Sequence, residues 1–336
     1  MQIFVKAFSR PFYLDRCLSS IRANVDGHSG VVVLDDGLPP PALERLRQCY
    51  PEVSFQRAPW ADVKGGIVRS WLRDPGVVKS IRDRFGDQVG TAAGQVGGVL
   101  CMPPDMDPLR FWRQCIQASS ERFIFLLEED CWITGQVDLS VIEREMAEGN
   151  TLVTHLFMNG KKAFSKVTRR VEVGEEAVLE HVQVPWPPDE AYPDTYLPVS
   201  LAIFDRAFWL DCHHGIKAWV PEWPIHRRAL DILALGGDSR PGYARVAPQI
   251  LAHGFSLSVS APPGDYGAPE NIWDITDALT AAWLDERLYA MADFPDDFHE
   301  DRLAEIISAH FGDETAARWR YFRKMFTEAF DRIGAG

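Results

Sequence analysis

Two short, unbroken apolar runs, each ending in carboxylates, constrain this chain more than any other feature of its sequence. Val31-Val32-Val33-Leu34 leads into Asp35-Asp36-Gly37, and Phe123-Ile124-Phe125-Leu126-Leu127 leads into Glu128-Glu129-Asp130. Neither run alternates apolar with polar, so neither has a solvent face. That is the pattern of parallel strands covered on both sides. In open α/β sheets ligands bind just beyond the carboxyl ends of the strands. Carboxylates gathered at such an edge repel one another unless a cation or a donor-rich ligand neutralises them.

The surrounding sequence supports an α/β sheet. Gln2 to Phe8 reads as a first strand, and Pro11 suits the first turn of a helix, where its missing N–H is not needed. Leu14, Leu18, Ile21 and Val25 then form one stripe of that helix, which Gly27 and Gly30 close. A second helix follows Pro39-Pro40-Pro41, with Leu43, Leu46 and Tyr50 on one side. Residues 58 to 108 read as loops, and their glycines form neither a dinucleotide fingerprint nor a P-loop. Pro108 to Ser119 fits a helix, Thr151 to Met158 and Leu197 to Phe204 fit strands, and Glu222 to Leu235 fits a helix. Ile250 to Gly254 fits a strand end, and the chain from Asp274 onward is helical in pattern. The β-α-β-α order indicates an α/β fold.

Charge and cysteine usage narrow the partners. The 336 residues carry 35 Lys and Arg against 48 Asp and Glu, a formal charge of −13. That surplus of acid weighs against a nucleic-acid groove, which works by neutralising phosphates. No apolar stretch approaches the roughly 18 residues of a membrane span. The opening lacks a secretory pattern, and the six scattered cysteines include no C-x-x-C. We therefore expect reduced thiols and a cytoplasmic location.

The run Phe8-Ser9-Arg10-Pro11, the helix bearing Arg16-Cys17-Leu18 and Ser20-Ile21, and the strand ending Asp35-Asp36-Gly37 resemble the opening of GT-A glycosyltransferases of the family 2 type. Phe123 to Asp130 is similar to that family's strand entering a D-x-D motif, written here with Glu128 in the first place. The resemblance implies a GT-A, Rossmann-like mixed sheet flanked by helices over residues 1–262, with a nucleotide-sugar half (1–134), an acceptor half (135–262) and a helical extension (263–336). It also implies a nucleotide-sugar donor, a UDP-sugar first among them, and Mn²⁺ or Mg²⁺. Asp35 and Asp36 correspond to the readers of base and ribose, with Phe8 and Arg10 lining the same pocket. Asp130 corresponds to the metal ligand, with Glu128 and Glu129 beside it. His253 resembles a histidine near the metal or diphosphate, and Lys64 or Arg69 is placed to meet the diphosphate.

An inverting transfer needs a carboxylate to take the acceptor's proton. Glu222, opening its helix beside Trp223, is the candidate, with Asp231 and Asp194 as substitutes. Trp219 and Trp223 are candidates to stack on a sugar, against a plain packing role. His213-His214 reads as a helix end that favours an imidazolium. The acceptor is not named by the sequence, and the C-terminal helices offer a dimer surface. Two other functions fit the pattern: a nucleotidyltransferase that makes a sugar nucleotide, and a non-catalytic protein that keeps the fold to bind a sugar or partner.

Overall fold

The apolar runs become the central strands of one large sheet. The computed structural model describes residues 1–64, 108–156, 163–216, 222–254, 272–288 and 297–334. The chain opens with β1 (Gln2–Ala7), α1 (Pro11–Asn24), β2 (Val25–Asp26), β3 (Gly30–Asp35), α2 (Pro40–Cys49), β4 (Ser54–Arg57), α3 (Pro108–Gln117), β5 (Phe123–Glu128) and β6 (Cys131–Ile133). Then follow β7 (Val137–Asp138), α4 (Leu139–Glu148), β8 (Thr151–His155), β9 (Lys166–Glu172), β10 (Val178–Gln183), α5 (Pro193–Tyr196), β11 (Ala202–Asp205), α6 (Arg206–His213), α7 (Glu222–Leu235), β12 (Gly242–Ala247) and β13 (Leu251–His253). Three helices come last: α8 (Ile272–Leu284), α9 (Glu300–Phe311) and α10 (Asp313–Gly334).

The main sheet has the order β4-β3-β1-β5-β11-β8-β12-β10-β9. β4, β3, β1 and β5 run parallel, whereas β11 is antiparallel to both of its neighbours, β5 and β8. This is the mixed, helix-flanked α/β sheet expected from the sequence. The absence of alternation in the central runs has a direct cause. Val31 and Val33 belong to the core on one face, while Val32 and Leu34 belong to the core on the other. Phe123, Phe125 and Leu127 divide from Ile124 and Leu126 in the same way.

Some expectations shift. Val25 lies in β2, pairing with Val137, and does not extend the stripe of α1. The strand expected from Leu197 begins only at Ala202. The edge pair β9 and β10 was not expected, because β9 (KVTRRVE) is largely exposed and carries no apolar run. The C-terminal helices pack into the main core: Leu279, Trp283, Phe298, Leu303 and Trp319 join the same core as β1 and α1. Tyr13 Oη donates to Asp297 at 2.8 Å and Trp283 Nε1 to Asp15 at 2.9 Å, which ties this layer to α1.

Candidate functional site

Parallel pairing places the two acidic strand ends on either side of β1. Ala7 is opposite Asp35, and Lys6 is opposite Glu128. The acidic groups are thus two interstrand spacings apart, about 10 Å, with Phe8 to Arg10 emerging between them.

On the β3 side, Asp35 is fully buried and shapes its own turn. Its Oδ1 accepts from the backbone N–H groups of Gly37 and Leu38 at 3.0 and 2.8 Å, and Arg57 donates to Oδ2. Asp36 accepts from Trp60 Nε1 at 2.7 Å and from Lys64 Nζ. Lys64 also lies over the Phe8 ring, 4.7 Å from its centre, so the structure places Lys64 at the Asp36 end of the site. Burial pulls the Lys64 ammonium down to about 7, with Glu129 opposing. Gly37 is required by close approach, because a Cβ there would stand 2.7 Å from the Phe8 ring. Arg69 lies outside the described residues.

On the β5 side every carboxylate has a cation. Lys6 Nζ donates to Glu128 at 2.8 Å, and Ser200 Oγ adds a bond of 2.7 Å. Burial alone would raise the Glu128 carboxyl, but Lys6, Ser200 and His253 outweigh it and hold it at about 2. Glu129 accepts from Phe8 N at 2.7 Å and Arg10 Nε at 2.8 Å, while Arg10 Nη1 reaches Asp130 Oδ2 at 2.7 Å. Arg10 is the N-cap residue of α1, yet its side chain does not cap the helix. Pro11 at the first helical position lets the chain turn there, and the guanidinium bridges two carboxylates. Burial would lower its pKa, but Asp130 and Glu129 raise it.

His253 reaches this cluster through a second, two-stranded sheet. β13 pairs antiparallel with β6, with His253 directly opposite Cys131. His253 Nε2 stands 3.7 Å from Asp130 Oδ2, and Cys131 Sγ stands 3.9 Å from Asp130 Oδ1. Among the described residues, Asp130, Cys131 and His253 form a group whose ligand atoms all lie within 4.8 Å of one another. A carboxylate and an imidazole at this separation fit a shared divalent cation, so the donor set is compatible with the expected metal. Burial, then Asp130 and Glu128, push the Cys131 thiol well above its ordinary value. Gly254 completes the corner: its N–H donates to Asp130 O at 2.6 Å, and a Cβ there would stand 2.5 Å from the Tyr13 ring.

The acceptor-side candidates are dispersed. Glu222 opens α7, but its side chain lies outside the described residues. Trp219 is outside them too. Trp223 is 71% exposed, so it does not serve as packing. Asp231 is half-exposed and pairs with Arg227 at 3.2 Å. Asp194 faces His226 Nε2 at 3.1 Å. His213 does end α6, but not as an imidazolium: it is buried, its Nδ1 lies 2.6 Å from Trp209 O, and its ring stacks on Trp209. Burial, only partly offset by the Trp209 carbonyl, pushes its pKa down to about 3. Lys6, Trp112, Trp209 and His213 line a small cavity. Lys6, Arg57, Trp60, Cys131 and Ser200 were missed from sequence; only Cys131, next to Asp130, carried a local signal.

No family model and no curated protein matches this chain. Among solved structures, S. aureus TarS 1–349 in complex with UDP is similar at 13% identity and a TM-score of 0.39, covering 92% of this chain and 71% of that one. A longer S. aureus TarS structure is similar at 13% identity and a TM-score of 0.40, covering 93% of this chain. The chain spans 43% of that longer protein. What identifies the fold is the chain's own strand order, a mixed α/β sheet with two acidic strand ends flanking β1.

Proposed function

We propose that this chain is a glycosyltransferase that moves one sugar from a nucleoside-diphosphate sugar, a UDP-sugar first, to an acceptor hydroxyl with inversion. The observation that carries this reading is the placement of Asp35-Asp36 and Glu128-Glu129-Asp130 one strand to either side of β1, with Lys64 on Asp36 and Arg10 on Glu129 and Asp130. A nucleoside diphosphate matches that layout, with base and ribose toward Asp36 and Phe8 and its phosphates toward Arg10 and Asp130. Asp130 and His253 would hold a divalent cation, Mn²⁺ or Mg²⁺, which would supply positive charge for the departing diphosphate.

The chain's own residues do the rest. Arg10 and Lys64 offer fixed cationic donors, which act best where water is excluded. Lys6 and Ser200 keep Glu128 ionised and oriented. Glu222, which opens α7, is our base, with Asp231 and Asp194 as substitutes. The test is donor turnover in the parent, in Asp130→Ala and in Glu222→Gln. We expect sugar release or transfer in the parent, and loss by at least about 100-fold in each variant, the scale of a general base or a main electrostatic group. Unchanged turnover in Glu222→Gln moves the base to Asp231 or Asp194. A second reading, binding of a sugar nucleotide without turnover, is favoured by the internal pairing of every acidic strand end. Tight nucleotide binding with no turnover in any metal would select it.

A further inference from the structure

Resting on the reading of Asp130 and His253 as cation ligands, we propose that Cys131 Sγ is the third protein ligand, and that the site prefers a thiophilic divalent cation, Zn²⁺ or Co²⁺, to Mg²⁺. The backbone supplies the first argument. Directly opposite residues of an antiparallel pair project to the same face with Cβ atoms about 5 Å apart, and His253 is directly opposite Cys131. The two side chains are therefore a cross-strand pair, and Asp130, held at the corner by Gly254 N–H, closes the triangle.

The second argument is which oxygen remains. Arg10 already donates to Asp130 Oδ2 at 2.7 Å, so Oδ1 is the oxygen left for a cation, and it is the one beside Cys131 Sγ at 3.9 Å. Around a tetrahedral ion with bonds of about 2.0 to 2.3 Å, neighbouring ligand atoms stand about 3.3 to 3.8 Å apart. Cys131 Sγ and Asp130 Oδ1, at 3.9 Å, stand at the edge of that range, and the ligand atoms of all three residues, within 4.8 Å of one another, close to it with side-chain shifts. Chemistry supplies the third. A carboxylate, an imidazole and a thiolate form a borderline-soft set that follows the order Mn²⁺ below Co²⁺ below Zn²⁺, whereas Mg²⁺ demands oxygen. On coordination the Cys131 thiol gives its proton to solvent, and no other bond changes. Asp130 and the thiolate together then match the charge of the ion.

The experiment is a Co²⁺ titration of the metal-free full chain, read by absorption with no nucleotide present. Co²⁺ should bind stoichiometrically with a near-ultraviolet sulfur-to-cobalt band. Zn²⁺ should abolish that band, and Mg²⁺ in large excess should leave it. Cys131→Ser should lose the band and bind Co²⁺ more weakly by more than the roughly 10–100-fold that an outer-shell change brings. Should Cys131→Ser fail to fold, Asp130→Asn and His253→Gln retain the thiol and must each weaken the same band's titration by about 10-fold or more. Co²⁺ binding without a sulfur band, or a band that persists in Cys131→Ser, overturns the proposal and leaves the Asp130 and His253 reading standing. No Co²⁺ binding at all overturns both, while the nucleotide reading is tested separately.

Discussion

Arg10 Nη1 donates to Asp130 Oδ2 at 2.7 Å while its Nε donates to Glu129 Oε1 at 2.8 Å, so one guanidinium bridges two buried carboxylates. Removing one partner of a buried pair leaves an uncompensated charge and destabilises by about 3–5 kcal/mol. Arg10→Met should therefore lower the unfolding free energy by that order in urea melts. Arg10→Lys, which keeps the charge but loses the fork, should fall between. Divalent cation should raise the Tm of Arg10→Met more than that of the parent, because it supplies the missing charge.

Glu128 predicts the acid behaviour. Its folded pKa is depressed to about 2 from an ordinary value of 4.5. The unfolded state therefore binds more protons in that interval, so the stability Glu128 contributes is complete above about 4.5 and is lost as pH falls toward 2. Tm measured across this window should fall with pH in the parent. The fall should be shallower in Glu128→Gln, and an identical slope in the two proteins would remove Glu128 from the account.

Lys64 predicts the neutral-pH behaviour of ligand binding. With its pKa near 7, the ammonium is charged below that value and discharged above it. Affinity for a nucleoside diphosphate should therefore be higher at pH 6 than at pH 8.5, with proton uptake on binding above 7. Calorimetry in two buffers of different ionisation enthalpy measures this, and Lys64→Gln should flatten the dependence.

Gly254 should not tolerate a side chain. A Cβ would meet the Tyr13 ring at 2.5 Å, on the corner that holds Asp130. Overpacking of this kind costs about 1–3 kcal/mol. Gly254→Ala should show that loss together with weakened Co²⁺ binding, whereas Gly215→Ala, with open space around its Cβ, should leave metal binding unchanged.

The central strands were legible because each of Val31 to Leu34 and Phe123 to Leu127 had to be apolar on both faces, and that requirement is local in sequence. The acidic strand ends were legible for the same reason. Their partners were not. Lys6 meets Glu128 across 122 positions, and Ser200 meets it across 72, so no spacing announces them. Lys6, Arg10, Arg57 and Lys64 pair with these carboxylates, four cations to five acids, which the expectation of a metal at Asp130 had not included. Cys131 was visible only as a neighbour of Asp130, and its alignment with His253 depends on register between β6 and β13. The C-terminal helices were legible as helices, but not as part of the core, because periodicity gives the buried face and not what covers it.

The most direct test of the central claim is calorimetric titration of the full chain with UDP, GDP, ADP and CDP, with and without Mn²⁺, in the parent and in Asp36→Asn. The account predicts saturable binding of at least one nucleoside diphosphate, UDP first, tightened by the metal and weakened at least about 10-fold by Asp36→Asn, the 1–3 kcal/mol scale of a lost hydrogen bond to a charged group. Binding of no nucleoside diphosphate in either metal state would contradict it.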